Sequence, residues 1–154
     1  MLLKNVFLSA LMIVVTLALV SCEDDAETIT IDSAVPSGNL TVQRQGTFVA
    51  ESGKPTAGMA QIGTDQDGEV FLRFGNDFMT DLATGTVTIY LSTSEALQRN
   101  AGAGNPDLQL IGAVGMNGED FFKLASAPDS KFSHIILWCE SVGIPFGNAE
   151  LQVQ

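Results

Sequence analysis

The 154 residues include one histidine, one tryptophan, one tyrosine, two cysteines, and seven lysines and arginines set against 18 acids. Each scarcity closes off some chemistry. With His134 the sole imidazole, the usual zinc ligand sets are nearly excluded, and a Ser-His-Asp triad would need Ser133 or another serine to face that one ring. So few bases on a chain of formal charge −11 repel phosphate backbones and anionic lipid heads, so nucleic acid is not an expected partner. The chain carries no haem-attachment motif and no flavin fingerprint, which leaves no covalently bound cofactor to expect. Acids are plentiful enough for a two-carboxylate glycosidase, yet no acid pair stands out in apolar surroundings. Enzyme is the minority reading.

What is present begins with an export signal. Lys4 and Asn5 form a short basic start, and Val6 to Val20 is almost purely apolar but too short for a membrane span. The segment ends Leu19-Val20-Ser21-Cys22, which resembles the bacterial lipobox. That resemblance implies a leader over 1–21, cleavage before Cys22, a diacylglycerol on its sulfur and a palmitate-type chain on the new amino terminus. Several buried acyl chains make a stable membrane anchor. Loss of Lys4 with the leader leaves six bases against 18 acids, a formal −12. The expectation is an exported bacterial lipoprotein of the outer membrane, facing the periplasm or the cell surface. If Cys22 is a thioether, Cys139 has no partner in the chain, although the compartment favours disulfides.

Residues 22–39 read as an acidic, flexible tether, too polar to offset the cost of ordering. Glu23, Asp24 and Asp25 resemble the surface-export signals of Bacteroidota lipoproteins, and a solvated linker explains them equally well. Asp32-Ser33-Ala34 resembles the short O-glycosylation motif of the same group.

From residue 40 to 154 short apolar or alternating runs are broken by Gly, Asn, Asp and Pro about every ten residues. Strands are expected at Leu40–Gln43, Gly46–Ala50, Gly58–Gly63, Val70–Phe74, Val87–Ser92, Leu108–Val114, Asp120–Leu124, His134–Cys139 and Ala149–Val153. The predicted fold is all-β, a single antiparallel sandwich or barrel-like domain. One short helix is expected over Ser94–Asn100, capped by Ser94. Asp65-Gln66-Asp67-Gly68-Glu69 has the look of half a calcium loop, but Asp-Gly between two strands favours a hairpin turn. Gly102 to Asp107 lacks the third glycine and the following helix of a phosphate cradle, and reads as a mobile loop.

The stretch His134 to Cys139 brings the rare residues together. Side chains alternate across a strand, so His134, Ile136 and Trp138 share one face while Ile135, Leu137 and Cys139 share the other. Both faces are apolar in the middle, as expected of a central strand covered on both sides. A buried unpaired cysteine is commonly an inert part of a core.

Ile135 to Leu151, I-I-L-W-C-E-S-V-G-I-P-F-G-N-A-E-L, resembles the end of the DM13 domain, with Trp138, Cys139, Phe146, Gly147, Ala149 and Leu151 on its Trp-Cys and Phe-Gly-x-Ala-x-Leu signature. Looser similarities lie at Gly46-Thr47-Phe48, Ser52-Gly53, Val70 to Phe74, Tyr90-Leu91-Ser92, Leu110-Ile111-Gly112, Gly118 and Phe122. The resemblance implies an all-β domain with a redox or electron-transfer role around one cysteine, here Cys139, and any electron carrier would have to be a partner. Two positions depart from the pattern. The histidine before Ser-Gly is Glu51, and Gly-Pro-Asp is replaced by Ala83-Thr84-Gly85-Thr86. Partners implied are the membrane through the lipid and either a protein redox partner or a surface ligand. A binding module for a protein or glycan, using loops such as Asp77 to Gly85 and Arg99 to Asp107, is the alternative.

Overall fold

The computed structural model describes residues 35–97 and 104–154. The leader, Cys22, residues 22–34 of the tether and the first part of the Gly102 loop lie outside the described residues. Ten strands follow in chain order: β1 (Thr41–Thr47), β2 (Val49–Ala50), β3 (Met59–Thr64), β4 (Val70–Phe74), β5 (Val87–Ser92), β6 (Leu108–Ala113), β7 (Asp120–Leu124), β8 (His134–Cys139), β9 (Ile144–Glu150) and β10 (Gln152–Val153). They form two antiparallel five-stranded sheets, β10-β1-β3-β4-β7 and β2-β9-β8-β5-β6. The protein is a β-sandwich, since each sheet keeps its own edges and neither closes on itself.

The core lies between the sheets and is built by alternation. Ile62, Leu72 and Phe74 point inward from the first sheet, and Val87, Ile89, Leu91, Ile135, Leu137 and Cys139 point inward from the second. Phe48, Phe74, Phe78 and Phe122 interlock at one end, with Phe74 and Phe78 stacked at 4.3 Å and Phe48 edge-on to Phe74 at 5.4 Å. Such offset and edge-on pairs add to the burial of their area.

One side of the sandwich is closed by a bent ribbon. Arg44 pairs with Val153 and Gln45 with Gln152 in the first sheet, while Val49 pairs with Asn148 and Ala50 with Gly147 in the second. The register is the same in both halves, so residues 44–50 and 147–153 run beside each other from sheet to sheet, with the ladder interrupted at the crossing, where the Phe48 and Leu151 amides donate to the Gly58 and Ser133 carbonyls instead. Gly46 sits at the crossing, where a Cβ would run into the carbonyl of Glu150.

Four strands, Val70–Phe74, Val87–Ser92, Asp120–Leu124 and His134–Cys139, have the bounds their pattern predicts. The expected break between Gln43 and Gly46 is absent. β1 runs through, with a bulge between Val42 and Arg44, and Arg44 is the cross-strand partner of the inward Ile62. β9 starts at Ile144 rather than Ala149, because the bulge where Trp138 meets Pro145 lets a proline stand in the strand. No helix forms at Ser94–Leu97; the Ser94 amide instead donates to Ser92 Oγ at 3.2 Å and its hydroxyl to the Ala96 carbonyl at 2.9 Å. Such local side-chain bonds compete with helix formation. Residues 98–100 of that expected helix lie outside the described residues.

The Asp65 segment is a hairpin loop. The Asp65 amide donates to the Glu69 carbonyl, and Gly68 takes the positive φ of 85°. Ser37, near the end of the expected tether, donates its amide to Asp65 Oδ2 at 2.9 Å and accepts from the Gln66 amide.

Candidate functional site

Central strand β8 carries the candidate residues on opposite faces. Cys139 is fully buried, paired in register with Val87 and Ile144 and packed in the core. Its thiol lies 4.0 Å from the Thr84 carbonyl, at the outer limit of a sulfur hydrogen bond. Thr84 belongs to the exposed turn Ala83–Thr86, so the segment that departs from the Gly-Pro-Asp pattern is the one that lies over the cysteine.

Trp138 faces the other way and is half-buried. It lines a hollow of about 440 Å³ together with Glu51, Ser52, Glu95, Ala96, Leu97 and Pro145. Ser52 and Gly53, with φ of 50° and 69°, form a tight turn closed by the Lys54 amide on the Glu51 carbonyl at 2.9 Å. That turn sets Glu51 at the hollow, where its carboxylate accepts from Asn148 Nδ2 at 2.7 Å. Beyond Trp138, Glu140 Oε1 accepts from the Tyr90 hydroxyl at 2.8 Å. The Thr88 hydroxyl lies within hydrogen-bond distance of both Glu140 Oε1 (2.8 Å) and the Trp138 carbonyl (3.0 Å), and its one proton serves them in turn.

His134, at the start of β8, is half-buried beside Ser133, whose Oγ is 2.8 Å from Nδ1. The serine that a triad needs therefore does face the ring. No carboxylate hydrogen-bonds to this imidazole among the described residues, so the orienting member is missing. His134 instead lines a cleft of about 580 Å³ with Glu95, Asn148, Glu150 and the amides of Gln45, Gln152 and Gln154. Among the described residues no three or more His, Cys, Asp or Glu side chains are grouped to hold a metal. Asp65 serves backbone amides: the Ser37 N–H foremost holds its carboxyl below the usual range, desolvation opposes it, and the amides of Glu69, Asp67 and Gly68 each lower it further.

The other motif residues build the fold. Phe146 and Ala149 are fully buried and Leu151 nearly so. Gly147 is required by close approach, since a Cβ there would lie 2.7 Å from both the Val49 carbonyl and Thr56 Cγ2. Trp138 and Cys139 thus flank the same peptide bond, one at a surface hollow and one in the core.

The family model described as Electron transfer DM13 matches residues 47–151. The chain belongs to the DM13 family. No curated protein and no solved structure matches it. Within this DM13 domain the structure brings together two positions that are 87 residues apart, Glu51 and Trp138, at one hollow. Sequence reasoning had Glu51 only as a departure from pattern and missed Glu95 and Asn148. The signal available for Glu51 was its place before Ser52-Gly53, a turn that would present it. Glu95 carried no signal, because nothing local ties its segment to β8.

Proposed function

We propose that this DM13 protein is a membrane-anchored accessory of electron transfer, non-enzymatic in itself, with Cys139 as its redox residue and a lipid on Cys22 as its anchor. The observation that carries the reading is the match to a family described as electron transfer, over a span that includes the Trp138-Cys139 pair. The apolar leader and the Leu19-Val20-Ser21-Cys22 lipobox support an exported lipoprotein of the outer membrane, on its periplasmic or surface face.

Burial of Cys139 restricts the route. Thiol–disulfide exchange needs the thiolate to reach a disulfide sulfur, and the closed domain keeps water and reagents from Sγ. Opening of the exposed Ala83–Thr86 turn, whose Thr84 carbonyl lies 4.0 Å from Sγ, would uncover it. Through that opening the Cys139 thiolate would displace one sulfur of a partner's disulfide, forming a mixed disulfide and releasing the other sulfur as thiolate. Two thiols of a second protein would then act in turn: the first attacks Cys139 Sγ and releases the first partner's remaining sulfur as thiolate, and the second attacks the sulfur of the first and releases the Cys139 thiolate, so that two electrons pass from the second protein to the first. The test is the reaction of the native domain with an aromatic disulfide reagent. Slow reaction at a rate that levels off with reagent concentration is expected, because opening then sets the pace. Reaction only after denaturation overturns the redox role and leaves Cys139 a core residue. Mass spectrometry of the native protein checks the anchor, with acyl mass on Cys22 expected and an intact leader contradicting it.

A second reading, a binding module displayed on a rigid scaffold, is favoured by the hollows at His134 and Trp138 rather than by the loops first suspected. The Asp77 to Gly85 loop is tied down: Phe78 is buried, Thr80 exchanges bonds with Asn117, and Asp81 is paired with Lys54 at 2.8 Å. In the Arg99 to Asp107 loop, residues 99–103 lie outside the described residues, and Asn105 closes a turn by accepting from the Asp107 amide at 3.0 Å.

A further inference from the structure

We infer that the outer side of the β8–β9 pair is a docking groove for a partner protein that presents lysine or arginine side chains. The two hollows, about 580 and 440 Å³, meet at Glu95, which lines both, and the Asn148–Glu51 hydrogen bond joins their walls. Glu51, Glu95 and Glu150 supply three carboxylates to this groove, and no lysine or arginine lines it among the described residues. Described cations that form ion pairs do so elsewhere: Lys54 with Asp81, Arg73 with Glu119, and Lys123 with Glu69. A concave surface lined by one sign of charge concentrates its field and draws counter-charge to it. The domain around it is itself strongly acidic, so the field of the groove is reinforced rather than opposed.

Length argues for a chain rather than a small amine. From His134 to Trp138 is four residues of strand, about 13 Å, enough for several residues of an extended partner segment. Apolar walls at Val49, Met59 and Pro145 suit the methylene stems of lysine and arginine, whose charged heads then reach the carboxylates at the rim. Small interfaces steered by charge are typical of transient encounters between proteins. This inference does not need Cys139 to be redox-active.

The test uses the full chain and a hexalysine peptide, with fully acetylated hexalysine and a neutral glucose hexasaccharide as comparison probes. Glu95 and Glu150 are exposed and make no side-chain hydrogen bond among the described residues, so Glu95→Gln with Glu150→Gln leaves the fold intact. Hexalysine is expected to bind saturably, about tenfold more weakly to this double variant. An equal charge change at the exposed turn residues, Asp67→Asn with Asp107→Asn, leaves binding unchanged. Equal weakening by both pairs would mean that only net charge is felt and overturns the groove. So would absent hexalysine binding, or saturable binding of either neutral probe in its place. Cys139→Ser binds hexalysine like the native chain, so the redox reading and this one fail separately.

Discussion

The two faces of β8 make opposite demands on neighbouring residues. The inward row of Ile135, Leu137 and Cys139 is fully buried in the core, so what matters there is volume and the absence of unpaired polar atoms. The outward row is graded. Ile136 is as buried as its neighbours, while His134 and Trp138 at the two ends are half-buried and line hollows. A residue that a family motif marks can therefore serve packing or recognition according to the parity of its position. In this chain the cysteine faces the core and the tryptophan faces a surface hollow.

Substitutions on each side should separate these demands. Phe146→Ala, on the strand that lies beside β8, removes a wholly buried ring and should cost about 3–5 kcal/mol in urea unfolding, the largest effect here. Cys139→Ser places a hydroxyl where the Thr84 carbonyl, at 4.0 Å, is too far for a good bond, and about 1–3 kcal/mol should be lost. Cys139→Ala should cost less than the serine, and the reverse order would mean that the thiol site is wet. Trp138→Ala should lose under about 1.5 kcal/mol while weakening hexalysine binding; a loss as large as that of Phe146→Ala would erase the distinction between the faces.

The smallest effect lies away from β8 and serves as its control. Asp65 has its folded pKa held below the ordinary 3.8, so its contribution to stability is complete above that value and fades as pH falls through the lowered one. In Asp65→Asn the acid side of the stability profile should be flatter below 3.8 and the hexalysine affinity unchanged. A flattening that appeared near neutral pH would point to another group.

Much of the scaffold was legible because alternation is a local signal. Val70–Phe74 and Val87–Ser92 each show the period of two, and turn residues bound them. Failures came where a residue's usual meaning is overridden by a distant strand. Arg44 and Gln45 read as a break before a strand starting at Gly46, yet β1 runs through them, and Gly46 is required by the close approach of the Glu150 carbonyl. The last strand is expected to start only at Ala149, yet a bulge tolerates Pro145 within β9 and the close approach of β2 requires Gly147. The groove was less legible than the fold. Trp138 drew notice by rarity and motif, but its neighbours Glu51 and Glu95 come from segments whose meeting depends on sheet order alone.

The ribbon of residues 44–50 with 147–153 also sets the order in which the molecule can be assembled. A chain released amino end first presents β2 about 100 residues before its strand partner β9 exists, a far longer loop to close than the β3–β4 hairpin. Hairpins can form as they emerge, but the corner that joins the two sheets waits for the final strands. Until then neither sheet has the corner that both share, so a chain cut short before Asn148 would lose a strand from each sheet at once.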